Sequence, residues 1–136
     1  MTHTPQALAP EFTVLERGWL SANSIVFRSP DAGSGAGAGA GAGAAVVDTG
    51  YCAHALQTVA LVDAALGGQP LARILNTHLH SDHCGGNAAL QASWPGVQTL
   101  IPPGQAEHVR EWDAWALSYT PTGQDCPRFG FDGLLE

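Results

Sequence analysis

Apolar positions along this chain fall into short runs that switch between two periods. "EFTVLERGWL" and "SANSIVFR" are rich in β-branched and aromatic residues and predict two short strands turning near Gly18. After "DAGSGAGAGAGAGAA", the run "AVVDTG" predicts a compact apolar strand ending in an Asp and a Gly. From Ala53 to Leu66 the period lengthens: Leu56, Val59, Val62 and Leu66 recur at helical spacing, and Gly67-Gly68 ends the helix. "LARILNTH" predicts another buried strand, and "CGGNAALQAS" a helix start stopped at Trp94-Pro95-Gly96. "VQTLIP" is a further apolar strand, followed by a proline-opened helix over "PGQAEHVREWDAWAL". Residues 118–136 carry Pro121, Gly123, Pro127, Gly130 and Gly133 and read as a loop-rich tail. Strands that first pair locally and then alternate with helices predict an α/β layered domain.

Composition narrows the partners. The chain of 136 residues is one domain at most, or a piece of one, and 45% hydrophobic content suffices for a real core. Five basic against twelve acidic residues give a net charge of −7, and no Lys/Arg cluster offers a footprint for nucleic acid. No run of eighteen apolar residues predicts a membrane span. "MTHTPQALAPEF" lacks both a basic and a continuous apolar segment, so the expected location is the cytoplasm. The expected partner is a small-molecule substrate.

Residues 33–45 hold glycine at every second position as far as Gly43. That parity excludes GxGxxG, and no Lys follows to make a Walker loop. The repeat reads as an expanded loop between two strands, an insertion that costs only about 0.6 kcal/mol per doubling of length. Cys52, Cys84 and Cys126 are widely spaced with no CxxC pair, so neither a zinc ribbon nor a disulfide framework is predicted. Cys84 reads as a small buried thiol, and Trp94, Trp112 and Trp115 as packing residues.

Chemistry concentrates in "THLHSDH". Three of the six histidines, His78, His80 and His83, fall within six positions, with Asp82 among them. Imidazole and carboxylate suit zinc, iron or manganese rather than calcium. In a loop leaving a strand, side chains two apart can converge on one ion, which suits His78 and His80. Asp82 and His83, adjacent and past a turn, can face a second ion. The helical HExxH arrangement is absent. His3, His54 and His108 read as ordinary surface or core residues.

This pattern, His-x-His-x-Asp-His, closely resembles the signature of the metallo-β-lactamase superfamily. "AVVDTG" before it, "CGGNAAL" after it and "VQTLIP" beyond extend the likeness from roughly Phe12 to Leu117. The resemblance implies the N-terminal half of an αββα sandwich, a mixed sheet with helices packed on one side, and hence an incomplete domain over residues 1–136. It implies that His78 and His80 bind a first metal, and Asp82 and His83 a second, with Asp82 also handling the proton of the attacking water. Asp48 and Thr77 would support the ligand loop, and Gly85 and Gly86 would let the backbone pass close to the site. Two zinc ions are implied for a complete domain, with iron or manganese as substitutes. The implied activity is hydrolysis of a small acyl substrate such as a thioester, lactone or lactam, as in glyoxalase II-like members. Two alternatives stay open: an iron-dependent redox protein like the persulfide dioxygenases or flavodiiron proteins, and a metal-binding fragment without catalysis. The family's remaining ligands follow a Pro-Gly-His turn, which this sequence does not contain, so the chain alone is expected to be inactive.

Overall fold

In a computed structural model, residues 12–18, 21–29 and 43–135 are described. The part of the Gly-Ala repeat before Gly43 lies outside them. A single mixed sheet runs in sequence order through six strands. Strands β1 (Phe12–Leu15), β2 (Ser24–Phe27) and β3 (Ala44–Val47) pair antiparallel. Beyond β3, strands β4 (Leu71–Leu75), β5 (Gln98–Ile101) and β6 (Gly133–Leu134) all add in parallel. Parallel neighbours need crossovers. A 3₁₀ turn at Cys52–His54 and helix α1 (Ala55–Leu66) join β3 to β4. Helices α2 (Ser81–Cys84) and α3 (Asn87–Ser93) join β4 to β5. Helices α4 (Ala106–Glu111) and α5 (Tyr119–Thr122) precede β6.

The register sets which side chains meet the helices. Val26, Val46, Ile74 and Thr99 stand in one row across the sheet, and all four are fully buried. On that face Val62 and Leu66 of α1 and Leu90 of α3 close a first apolar cluster. Each such side chain contributes about 1.5–3 kcal/mol on burial. Ile101, on the same face of β5, belongs to a second cluster with Leu79, Val109, Leu117, Tyr119 and Phe129. The alternate row, Ile25, Val47, Leu75 and Leu100, points to the opposite face and is only half-buried.

Several expectations from sequence are corrected. Leu56 is 85% exposed; the inward arc of α1 carries Thr58, Val62 and Leu66 instead. Ala44 and Ala45 are not loop but buried members of β3, and a Cβ at Gly43, where φ is +108°, would meet the Ala72 side chain at 2.6 Å. The last predicted helix stops at Glu111, because Trp112 takes a left-handed conformation (φ 54°). Trp112 then packs on Tyr119 and Phe129, whereas Trp115 is 68% exposed and packs little. The tail is not merely loop: it supplies α5, β6 and the buried Tyr119 and Phe129.

Candidate metal centre

The candidate ligands leave the C-terminal end of β4. Asn76 ends the strand fully buried, with its N–H bonded to the Leu100 carbonyl. Its side chain pairs with Asn87, whose amide donates to Asn76 Oδ1 at 2.7 Å, and Thr49 donates to Asn87 Oδ1 at 2.8 Å. This buried polar triad joins the ends of β3 and β4 to the start of α3.

Alternation then sorts the loop. Thr77, His78 and His80 are exposed, while Leu79 between the histidines is buried in the second cluster. The Tyr119 hydroxyl donates to the Leu79 carbonyl at 2.8 Å, pinning the backbone midway between His78 and His80. Asp82 and His83 follow within α2, whose carbonyls find partners outside the helix. The Ala22 N–H donates to Asp82 at 2.9 Å, and the Thr49 N–H to His83 at 2.8 Å.

The structure brings His78, His80 and His83 together. The His78 and His83 ring centroids are 3.8 Å apart, and those of His78 and His80 are 4.8 Å apart, edge to face. His83 Nε2 lies 3.6 Å from Asp82 Oδ2. Its other nitrogen, Nδ1, donates to Asp48 Oδ2 at 2.8 Å. Asp48 also accepts from the Thr77 N–H at 2.9 Å and the Thr77 hydroxyl at 2.7 Å. His78 is exposed overall, but partial desolvation of its ring among its neighbours lowers its pKa from the ordinary value; the neighbouring His83 and His80 add to that, and Asp48 and Asp82 oppose it.

Asp48 is buried and left-handed, φ 62°, a conformation that Asp and Asn tolerate because their short side chains bond locally. Gly85 and Gly86 are needed for another reason. Both have ordinary right-handed backbones. A Cβ at Gly85 would meet the Cys52 backbone N at 2.5 Å, and one at Gly86 the Thr49 carbonyl at 2.4 Å. Their close approach is therefore to the loop following Asp48.

The donor set suits a zinc-type ion: three imidazoles and a carboxylate, with one imidazole oriented by a further carboxylate, as ligating histidines commonly are. As they stand, no three His, Cys, Asp or Glu side chains among the described residues converge closely enough to hold an ion. Two depressions flank the motif. One of 240 Å³ is lined by His78, His80, Pro102 and Gln105, the other of 280 Å³ by His80, Asp82 and Gln124, and both share Leu117 and Ser118.

Sequence reasoning missed Tyr119, which the Pro and Gly around it had placed in a loop, and the Asn76–Asn87 pair, which no periodic pattern marks. His54, read as an ordinary residue, bonds Ser21 Oγ at 2.7 Å. His108 is half-buried in α4. Cys84 is the buried thiol expected, held protonated by its contact with Cys126 and by burial.

A family model described as "Metallo-beta-lactamase superfamily" matches residues 17–135. No curated protein matches the chain. Among solved structures, a metallo-beta-lactamase from Cronobacter sakazakii with a HARLDQ motif is 23% identical at a TM-score of 0.66, covering 93% of this chain and 44% of that one. Native FEZ-1 metallo-beta-lactamase from Legionella gormanii is 12% identical at a TM-score of 0.67, covering 92% and 43%. BJP-1, a subclass B3 metallo-beta-lactamase of Bradyrhizobium japonicum, is 17% identical at a TM-score of 0.65, covering 93% and 42%. These likenesses show the fold, and the chain spans less than half the length of each of the three. No described helix is long and apolar enough to cross a membrane.

Proposed function

The chain belongs to the metallo-beta-lactamase superfamily, and from that premise we propose that it carries the first metal-ligand motif of a metal-dependent hydrolase acting on a small acyl substrate. One observation carries the reading. The Asp48 carboxylate accepts a hydrogen bond from the Nδ1–H of His83, which leaves the Nε2 lone pair free on the side of Asp82. Carboxylates that fix a histidine tautomer in this way raise its basicity and set its angle toward a metal.

His78 and His80 would hold one ion, and Asp82 and His83 a second, zinc being favoured over iron or manganese. A bound ion of this kind supplies a Lewis acid and a water acidified from about 15.7 to about 7. Asp82, whose side chain is 38% exposed beside His83, would receive the proton of the attacking water. Asp48 and Thr77 keep the His83 ring from turning, and Tyr119 holds the loop between His78 and His80 in place. The flanking depressions, walled by Leu117 and Ser118, open beside the histidines, and a thioester, lactone or lactam of modest size would lie there.

Metal analysis of the purified chain tests this, beside a His78→Ala, His80→Ala double variant. Zinc in the parent and its loss from the variant are expected. Equal metal in both sinks the ligand assignment, and iron with oxygen consumption points to redox chemistry instead. A second reading, metal binding without catalysis, is favoured by the lack of three convergent donors among the described residues.

A further inference from the structure

The three cysteines, far apart in sequence, gather near the end of α2. Cys84 closes that helix, fully buried, with its Sγ 3.8 Å from Cys126 Sγ and 3.2 Å from the Tyr119 hydroxyl oxygen. Cys52 Sγ donates to the carbonyl of Asp125, next to Cys126, at 3.4 Å. Residues 124–126 are also tied to their surroundings: the Ser81 hydroxyl donates to Gln124 Oε1, and the Asp125 N–H donates to the Tyr51 hydroxyl. A surface depression of 330 Å³, lined by Tyr119, Gln124, Asp125 and Cys126, gives solvent a path to the half-buried Cys126.

We propose that Cys84 and Cys126 form a redox-active dithiol, which a low-molecular-weight disulfide entering at Cys126 oxidises to an intramolecular Cys84–Cys126 disulfide. The sulfurs already stand 3.8 Å apart, against about 2.0 Å in a formed bond, so local side-chain and loop adjustment suffices. The Cys126 thiolate attacks one sulfur of the small disulfide, forming a mixed disulfide and releasing one thiolate. Cys84 then attacks the Cys126 sulfur, its proton passing to the second thiolate as that group is expelled. Two protein thiols are oxidised, and one small disulfide is reduced to two thiols. The order of attack follows from the environment. Cys126 is open to the depression, and the hydrogen bond from Cys84 holds its thiol below the ordinary range, with burial opposing. Thiolate character and access are what direct such exchange. The cross-link would fasten the 124–126 segment to the helix bearing Asp82 and His83; only that consequence depends on the hydrolase reading.

The test uses the reduced full chain with oxidised glutathione as the probe and a chelator present, read by thiol titration and peptide mapping. Free thiols should fall from three to one, with Cys84 joined to Cys126 and dithiothreitol restoring all three. A Cys52→Ser variant should lose both of its remaining thiols, and a Cys126→Ser variant should keep Cys52 and Cys84 free. A glutathione adduct that persists on Cys126 beside a free Cys84, a link through Cys52, or no loss of thiols in the parent would overturn the proposal. Because metal is excluded from the assay, failure of the ligand assignment leaves this outcome untouched.

Discussion

Asp48 Oδ2 and His83 Nδ1 meet at 2.8 Å across the gap between the end of β3 and helix α2. The same carboxylate gathers the Thr77 N–H and hydroxyl, so one buried side chain fixes the start and the end of the histidine motif. Asp48→Asn keeps a residue that tolerates the left-handed backbone but removes the charge and one of the acceptor positions. Zinc affinity should fall by about 10–100-fold while the fold is retained. Competition against a chromophoric chelator measures it, with circular dichroism as the folding control. Unchanged affinity would mean that Asp48 supports the loop and nothing more.

Gly86 makes the second prediction. Its backbone is ordinary, so an alanine there meets only steric resistance, from the Thr49 carbonyl at 2.4 Å. That oxygen is backbone, not the far end of a flexible side chain, so the α2–α3 turn must move off the Asp48–Thr49 loop. Gly86→Ala should cost about 1–3 kcal/mol in denaturant titration, the usual range for overpacking. Gly96→Ala, where a Cβ meets nothing within 4 Å, should be neutral and serves as the control. Equal stability of the two variants would show that the turn has room to adjust.

These two positions show what was legible beforehand. Strands β3, β4 and β5 were readable because each is a short apolar run bounded by turn residues, and the motif was readable because its donors are neighbours in sequence. Which arc of α1 faces inward was not. Leu56 fits the helical period as well as Val62 does, and only packing against β2 and α3 selects Thr58, Val62 and Leu66. Nor was the role of the tail. Pro and Gly predict turns, but they cannot tell that Tyr119 will reach the Leu79 carbonyl or that Cys126 will reach Cys84.

His78 supplies the pH prediction. Partial desolvation and the adjacent rings of His83 and His80 lower its proton affinity relative to the ordinary value of 6.5. Between the folded midpoint and 6.5 the unfolded chain therefore binds more protons at this site. Its contribution to stability is full above about 6.5 and is lost as the pH falls through that window. In the metal-free chain, an NMR titration of the His78 ring should give a midpoint below 6.5. A midpoint at or above 6.5 would mean that Asp48 and Asp82 outweigh the desolvation and the neighbouring rings.

Turnover by this chain supplies the last. A catalytic zinc takes three protein ligands plus water. The proposed assignment gives each ion two, His78 with His80 and Asp82 with His83, and among the described residues no third donor converges on either pair. Water filling the remaining positions weakens binding and leaves the nucleophile without a fixed direction toward substrate. Orientation of that kind accounts for much of a catalysed rate. The purified chain, given zinc and assayed with thioester and β-lactam reporters, should therefore turn over negligibly. Turnover on the order of 1 s⁻¹ or faster, near ordinary enzyme rates, that vanishes in a His80→Ala variant would overturn this expectation. It would bring another donor into the site, either His108 or a ligand from a second copy of the chain. Sedimentation velocity across a concentration series separates these two sources, because only the second requires the active species to be a dimer.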